Sequence, residues 1–161
     1  MRSSRQPSEQ PGASNKRWLL QQISLFSDLT DEQLDFVVDR TRLVEFEKGE
    51  RIYSQGDDPN AFYGLVSGRV RIYVGADEPN RKKTLEVLHR GDYFGMISIL
   101  TDEPHSVTAE AINDSILLRI KREDFEVILK EIPEIAVHLS TTLSRRLRQK
   151  DQPNKEIFES T

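Results

Sequence analysis

The chain has 161 residues, of which 36% are hydrophobic and 31% are charged, and its formal net charge is -4 at pH 7. That length suits one folded domain with short tails, and a mean hydropathy of -0.59 is typical of a water-exposed globule. The negative charge argues against a dedicated nucleic-acid surface. The chain has no cysteine, which excludes disulfides, thiol catalysis and cysteine-ligated zinc. This absence also fits a reducing compartment, and we expect a cytoplasmic location.

The two ends of the chain differ in composition from its centre. Residues 1–16 are rich in Ser, Pro, Gln and Gly and have almost no apolar side chains, so we expect a disordered tail or linker there. Residues 17–150 carry the periodic apolar patterns of a folded domain. Residues 151–161 are predicted to form a flexible tail.

An amphipathic helix is predicted near the start of the domain. Thr30-Asp31-Glu32-Gln33 has the pattern of a capping box, in which two side chains bind the free backbone amides of a helix start. Leu34, Val37 and Val38 then share one helical face. We therefore expect a helix near Asp31–Arg40.

The apolar pattern changes to alternation between Leu43 and Ile120. Val70–Val74 and Val107–Ala111 both alternate apolar and polar residues, which predicts half-buried strands. Turn signals at a spacing of roughly 8–12 residues favour a sandwich or roll. Gly75–Lys82 is predicted to be a polar hairpin loop.

The helical period returns after Ile120, first over Arg122–Lys130 and then in a long helix over Glu134–Gln149. A narrow apolar stripe on the long helix either docks on the strands or pairs with a second copy. Its residues are Ile135, Leu139, Leu143 and Leu147. We interpret the basic run Arg145–Lys150 as a solvated helix end, where cations complement the helix dipole.

The segment Phe94–Leu100, followed by Pro104–Ala109, has the pattern of a strand end, a tight glycine turn, one helical turn and a return strand. Gly95 allows a sharp turn and a close approach of the backbone to a ligand. The next three amides would be unpaired at the start of a short helix, where the dipole favours an anion. The pattern therefore predicts a cradle for a phosphate.

This segment resembles the phosphate-binding cassette of cyclic-nucleotide-binding domains, and the resemblance extends over about Leu25–Arg148. Glycine motifs occur in the family order. They are Lys48-Gly49-Glu50, Gln55-Gly56-Asp57, Val66-Ser67-Gly68-Arg69-Val70 and Arg90-Gly91-Asp92-Tyr93-Phe94-Gly95. The resemblance implies a mainly β fold, an antiparallel double-stranded β-helix of the jelly-roll type, with N-terminal helices and a long C-terminal helix. In the family this last helix lies over the nucleotide or pairs with another subunit.

Two polar positions depart from the family pattern. The family glutamate, which accepts from the ribose hydroxyl, falls on Met96, and the family arginine, which pairs with the phosphate, falls on His105. A neutral histidine supplies no charge, so His105 is either a weak phosphate contact or a partly exposed loop residue without a ligand. Ser106 either contacts the phosphate or binds local backbone. The purine is expected to rest near Leu88, Val107 and the C-terminal helix.

The resemblance implies a ligand site without catalytic residues, metal or cofactor. Its nine residues are Leu88, Phe94, Gly95, Met96, Ile97, Ser98, His105, Ser106 and Val107. The related metal-binding rolls use a His-x-His pair, whereas His89, His105 and His138 are separated in this sequence. Asp57-Asp58 and Asp102-Glu103 are acidic pairs in turn-like contexts. We therefore do not expect an enzyme.

Two functions from different classes remain open. The first is a regulatory sensor that binds cyclic AMP or cyclic GMP weakly and signals through its C-terminal helix. The second is a nucleotide-independent interaction module with a degenerate pocket, for which Ile157-Phe158 of the tail is a weak candidate occupant. In both cases the chain is either a stand-alone module or, as we expect, a regulatory part of a larger transporter, channel or enzyme. We expect no DNA-binding domain and no membrane span. We also expect a weak homodimer through the C-terminal helix.

Overall fold

A computed structural model describes residues 13–75 and 79–150. The helices are α1 (Ala13–Gln21), α2 (Asp31–Val38), α3 (Met96–Thr101), α4 (Arg122–Glu131) and α5 (Pro133–Lys150), with short 3-10 helices at Ser24–Phe26 and Pro79–Arg81. The strands are β1 (Thr41–Phe46), β2 (Arg51–Tyr53), β3 (Ala61–Ser67), β4 (Val70–Val74), β5 (Lys83–Leu88), β6 (Tyr93–Phe94), β7 (Thr108–Ala111) and β8 (Ser115–Lys121).

These strands form two four-stranded antiparallel sheets, with the orders β1-β8-β3-β6 and β2-β7-β4-β5. The central strand β8 pairs with β1 on one side and β3 on the other, and Leu43 lies opposite Leu118. The expected mainly β, antiparallel fold with helices before and after the strands is therefore confirmed. Alternation of side chains along each strand determines which core each residue joins.

The core has two parts, on opposite faces of the sheet that contains β8. Leu117 packs into a cluster between the two sheets, whereas its neighbour Leu118 packs into a cluster beneath the helices. In the helix-side cluster the ring of Phe62 stacks on Phe125 with a centroid distance of 4.7 Å, and it also packs against Tyr93 at 5.7 Å. These ring contacts join the strands to α4.

The capping box predicted at Thr30 is present. The Thr30 hydroxyl accepts from the Gln33 amide at 3.2 Å, and the Gln33 side-chain oxygen accepts from the Thr30 amide at 3.0 Å. The helix ends at Val38, two residues earlier than expected. Its apolar face is buried, as the spacing predicted.

Helix α1 begins at Ala13, so residues 13–16 are helical, although the sequence analysis placed them in the tail. Hydrogen bonds and ion pairs of Lys16 and Arg17 hold this helix, and a prediction based on apolar content does not detect such contacts. The Lys16 ammonium donates to the Thr41 carbonyl at 2.9 Å, and the Arg17 guanidinium pairs with Asp31 and Asp35 on α2. The predicted tail segments 1–12 and 151–161, with Ile157-Phe158, lie outside the described residues.

The apolar stripe of α5 is divided between two environments. Ile135 and Leu139 are buried in the helix-side cluster, and Leu143 is half-buried against it. Leu147, one turn further, is 63% exposed. The first half of α5 therefore packs in the helix-side cluster, while its last two turns extend beyond that core. Within the described part of the chain, no helix is long and apolar enough to cross a membrane.

Two independent features, the backbone conformation and the lack of space, require glycine at position 68. The φ of Gly68 is +92°, and an added Cβ would lie 2.2 Å from the Ser115 hydroxyl and 2.7 Å from the Asp114 carbonyl oxygen. Gly49 has a similar φ of +87°, but nothing lies within 4 Å of its added Cβ. Comparing substitutions at these two glycines therefore distinguishes the cost of backbone strain from the cost of steric overlap.

We expect Gly68→Ala to lower the free energy of unfolding by roughly 3 kcal/mol, because overlap adds to backbone strain. Gly49→Ala, as the matched control, should lose only about 1 kcal/mol from strain. Urea denaturation of both variants measures the difference. Equal losses would show that overlap at Gly68 is relieved without cost.

Candidate functional site

A cavity of about 470 Å³ lies where β5, β6, α3, the loop after α3 and the last turns of α5 meet. All nine residues that the sequence predicted for a ligand site line it. They are Leu88, Phe94, Gly95, Met96, Ile97, Ser98, His105, Ser106 and Val107. The structure therefore brings together residues that span twenty positions of the chain. The sequence analysis missed other lining residues, namely Tyr53, Ile72, Leu85, Glu86, Tyr93 and Arg146, and did not place Leu143 and Leu147 at the site.

Gly95 forms the turn between β6 and α3. Its φ is +90°, in the left-handed region, and an added Cβ would lie 2.9 Å from the Ala61 carbonyl oxygen. The fold thus requires glycine here whether or not a ligand binds. The amides of the first turn of α3 begin a helix and have no acceptor within it. Asp102, with a φ of +56°, ends this short helix.

His105 is buried, with only 4% of its surface exposed. Its ring stacks on Tyr53, with 3.6 Å between the ring centroids and 8° between the planes. Its backbone amide donates to the Asp57 carbonyl at 2.8 Å, and its carbonyl accepts from the Gly56 amide at 2.8 Å. The expectation of a partly exposed loop histidine is therefore wrong, because a tyrosine from β2 covers the ring.

The burial of His105 determines its charge. Burial lowers the pKa of the imidazole below its usual value, and the negative charge of Asp57 opposes this effect more weakly. The ring is therefore neutral at pH 7 in this environment. It supplies a hydrogen-bonding nitrogen at the cavity wall but no positive charge.

Met96 is buried at the start of α3 and belongs to the helix-side cluster. Its thioether is a weak acceptor at best, so it cannot replace a carboxylate towards a ligand hydroxyl. Glu86 on β5 is exposed and is the acidic residue among the lining side chains. An acceptor carboxylate is thus present, but on a strand rather than in the cassette.

The cation at the cavity comes from α5. Arg146 is half-buried and lines the cavity, whereas Arg145 and Arg148 are exposed. The interpretation of the basic run as a solvated helix end therefore fits Arg145 and Arg148 but not Arg146. The spacing of Arg146 in the sequence indicates this position, because Arg146 lies three residues after Leu143 and shares its helical face.

The polar residues around the cassette have structural partners. The Asp57 carboxylate accepts from the Ser54 amide at 2.9 Å, and the Asp102 carboxylate pairs with Arg122 at 2.6 Å. Residues 13–75 and 79–150 contain no group of three or more side chains suited to a metal ion. A second cavity of about 440 Å³, lined by Asp57, Asp58 and Arg119 among others, shares the rings of Tyr53 and His105 with the first.

Residues 43–131 match the profile of a family described as the cyclic nucleotide-binding domain, and this match covers more than half of the chain. The Cyclic AMP receptor protein of Thermus thermophilus is 34% identical over 130 residues, which cover 79% of this chain and 58% of that protein. A cGMP-dependent protein kinase of Plasmodium berghei is 28% identical over 145 residues, which cover 90% of this chain and 15% of the kinase. The chain thus spans only part of the length of these relatives.

A solved structure shows the same fold. The sensor domain of the transcriptional regulator DNR from Pseudomonas aeruginosa superposes with a TM-score of 0.73 and 31% sequence identity, covering 88% of this chain and 94% of that domain. The profile match, the identity and the two-sheet architecture agree with one another. The chain belongs to the cyclic-nucleotide-binding domain family, and it is a regulatory domain like those of the cAMP-dependent protein kinase regulatory subunits and the catabolite activator protein.

Proposed function

We propose that this chain is a non-catalytic sensor that binds a cyclic nucleotide weakly and signals through α5. One observation carries the proposal: the nine residues predicted for the ligand site and the last turns of α5 line the same cavity. A ligand there would touch both the rigid roll and the helix. Cyclic AMP is the first candidate, because the relative from Thermus thermophilus is a cyclic AMP receptor, and cyclic GMP is the second.

The phosphate of the nucleotide would lie against the first turn of α3, where Gly95 keeps side chains away from the backbone. The amides there, which have no acceptor within the helix, donate to the anion, and Ser98 and Ser106 line the same cavity. His105 adds no charge at pH 7. Losing a paired cation at a buried phosphate commonly weakens binding by about a hundredfold, so we propose a weak affinity.

The purine would rest against the apolar wall formed by Leu88, Val107 and Leu143. Arg146, beside them on α5, is the cation available to a bound anion. Because Ile135 and Leu139 hold the start of α5 on the roll, a ligand can only draw in the last turns. Such a ligand shifts the balance between an open and a closed position of these turns.

The cassette is also connected to the helices at its far end. Asp102, which ends α3, pairs with Arg122, which begins α4, and α4 leads directly into α5. A movement of α3 upon binding would therefore reach the base of α5 as well as its end. An effector attached to the C-terminal side of the domain, in a longer transporter, channel or enzyme, would read this movement.

A second candidate function is favoured by the chemistry of Met96 and His105. Both side chains are buried, and neither provides the charge that a cyclic nucleotide would need. A domain with such a pocket could act as an interaction module that no nucleotide regulates. Calorimetry distinguishes the two functions.

We expect cyclic AMP or cyclic GMP to release or absorb measurable heat when titrated into the wild-type chain. Arg146→Gln should weaken binding about fivefold or more, because a charge-assisted hydrogen bond is lost. Arg145→Gln is the matched control, since it removes the same charge from an exposed neighbour, and it should leave the affinity nearly unchanged. No heat with either nucleotide would reject the sensor function in favour of the interaction module.

Nucleotide binding should strengthen as the pH falls from about 7.5 to about 5.5, because a bound phosphate favours the protonated imidazole of His105. Without ligand, acidification should instead lower the stability of the folded chain. Since burial lowers the folded-state pKa, the unfolded chain takes up the proton first, and the free energy of unfolding should fall as the pH decreases below roughly 6.5.

His105→Phe preserves a flat ring against Tyr53 but cannot titrate, so both pH effects should shrink. His89→Gln, which removes an exposed imidazole outside the cavity, should leave both effects in place. Isothermal titration and urea denaturation over this pH range measure them. Binding that weakens on acidification would place His105 away from the phosphate.

The proposal includes weak pairing of two copies through α5, motivated by the exposure of Leu147 on the stripe. Leu147→Asp should shift the sedimentation of a concentrated sample towards the monomer. Val137→Asp, at a 65% exposed position on another face of α5, should not. A wild-type chain that sediments as a monomer at every concentration would rule out pairing.

A further inference from the structure

A carboxylate on the wall of the ligand cavity has no partner of its own. Glu86 on β5 is exposed and lines the cavity. No hydrogen bond or ion pair holds its side chain among residues 13–75 and 79–150. By contrast, the carboxylate of Glu110 in the same sheet accepts from Tyr73 at 2.8 Å and from Arg71 at 3.2 Å. Glu86 is therefore available to a ligand.

The register of β5 determines the direction in which Glu86 points. Residues that lie opposite each other in an antiparallel pair point to the same face of the sheet. Glu86 lies opposite Ile72, which is buried in the cluster between the two sheets and lines the cavity. Leu88, two residues along β5, belongs to the same cluster and also lines the cavity. The Glu86 side chain is thus on the inner face of its sheet, which forms a wall of the cavity.

A bulge in β5 adds to this arrangement. Ile72 lies opposite Glu86, and the next residue of β4 lies opposite Thr84, so Leu85 is an extra residue in the strand. A bulge changes the direction of a side chain and increases the local twist. Leu85 and Glu86 both line the cavity, whereas regular alternation would direct one of them away from it. The strand therefore presents an apolar side chain and a carboxylate together, which suits a flat ring with polar atoms at its edge.

Glu86 is separated from the phosphate cradle. The cradle follows β6 in one sheet, whereas Glu86 belongs to the other sheet. Because a phosphate and a carboxylate repel each other, a bound nucleotide would place its phosphate at α3 and its base towards β5. Leu88, part of the apolar wall proposed for the purine, lies two residues from Glu86, about 7 Å along the strand. The edge of a purine that rests on Leu88 is therefore within reach of the carboxylate.

The chemistry of a carboxylate selects among purines, because it accepts hydrogen bonds and cannot donate them. The Watson–Crick edge of guanine has two adjacent donors, N1–H and the 2-amino group, which match the two carboxylate oxygens. The same edge of adenine has one donor, the 6-amino group, beside the acceptor N1, which a carboxylate repels. We infer that Glu86 is a specificity-determining residue that accepts hydrogen bonds from the guanine of cyclic GMP. The inference rests on the proposed sensor function and reverses the order of its two candidate nucleotides.

Calorimetry of cyclic GMP, cyclic IMP and cyclic AMP with the wild-type chain tests this preference. Cyclic GMP should bind about fivefold more tightly than cyclic AMP, and cyclic IMP, which keeps N1–H but lacks the 2-amino group, should lie between them. Cyclic IMP that binds as tightly as cyclic GMP would overturn the two-donor contact. Cyclic AMP that binds as tightly as cyclic GMP would overturn the inference and leave the sensor function intact. A chain that binds none of the three overturns both.

Glu86→Gln tests the residue itself. A glutamine side chain both donates and accepts, so it matches the edge of adenine and loses one of the two bonds to guanine. The variant should bind cyclic GMP more weakly and cyclic AMP more tightly, which shifts the ratio of the two affinities by about tenfold. Glu131→Gln is the matched control, because it removes the same charge from an exposed position on α4 outside the cavity, and it should leave the ratio unchanged. A ratio that Glu86→Gln leaves unchanged would place the carboxylate away from the base and overturn the inference.

Discussion

The cavity depends on how the loop after α3 is held. The cassette begins on β6 in one sheet and ends on β7 in the other, so it crosses from one sheet to the other at this end of the domain. Two backbone hydrogen bonds, from Gly56 to the His105 carbonyl and from His105 to the Asp57 carbonyl, fasten it to the turn after β2. The Tyr53 ring then closes over the imidazole. Without this attachment the cavity would have no fixed wall on that side.

The same attachment has an electrostatic result. Because the loop is held close, His105 is buried and its pKa falls, so the loop side of the site supplies no positive charge at pH 7. The cation that remains near the cavity, Arg146, is on the last turns of α5, beyond the residues that pack in the helix-side cluster. Charge recognition and helix position are therefore combined in one element, which is a suitable arrangement for a sensor.

Much of this architecture could be predicted from local pattern. Each glycine of the family motifs has a positive φ, and the change of period separated strands from helices correctly. The nine residues predicted for the site followed from one resemblance, and the structure places them around one cavity. What could not be predicted depends on contacts between distant residues. The stacking partner of His105 lies 52 positions earlier, and the start of α1 is held by ion pairs across to α2. In the sequence, Tyr93 stands out only as part of a glycine motif. That its hydroxyl has no hydrogen-bond partner among the described residues follows only from the three-dimensional structure.

The ion pair between Asp102 and Arg122 is of a different kind from the other contacts that surround the cassette. It lies at the surface, with the Asp102 side chain 80% exposed, whereas the docking of Ile135 and Leu139 is fully buried. Dissolved ions screen a surface pair but leave apolar packing almost untouched. The link from α3 to α4 is therefore one that ionic strength can loosen, while the buried docking of Ile135 and Leu139 stays fixed. Salt would then act as a tuning variable for communication across the domain, independently of the ligand.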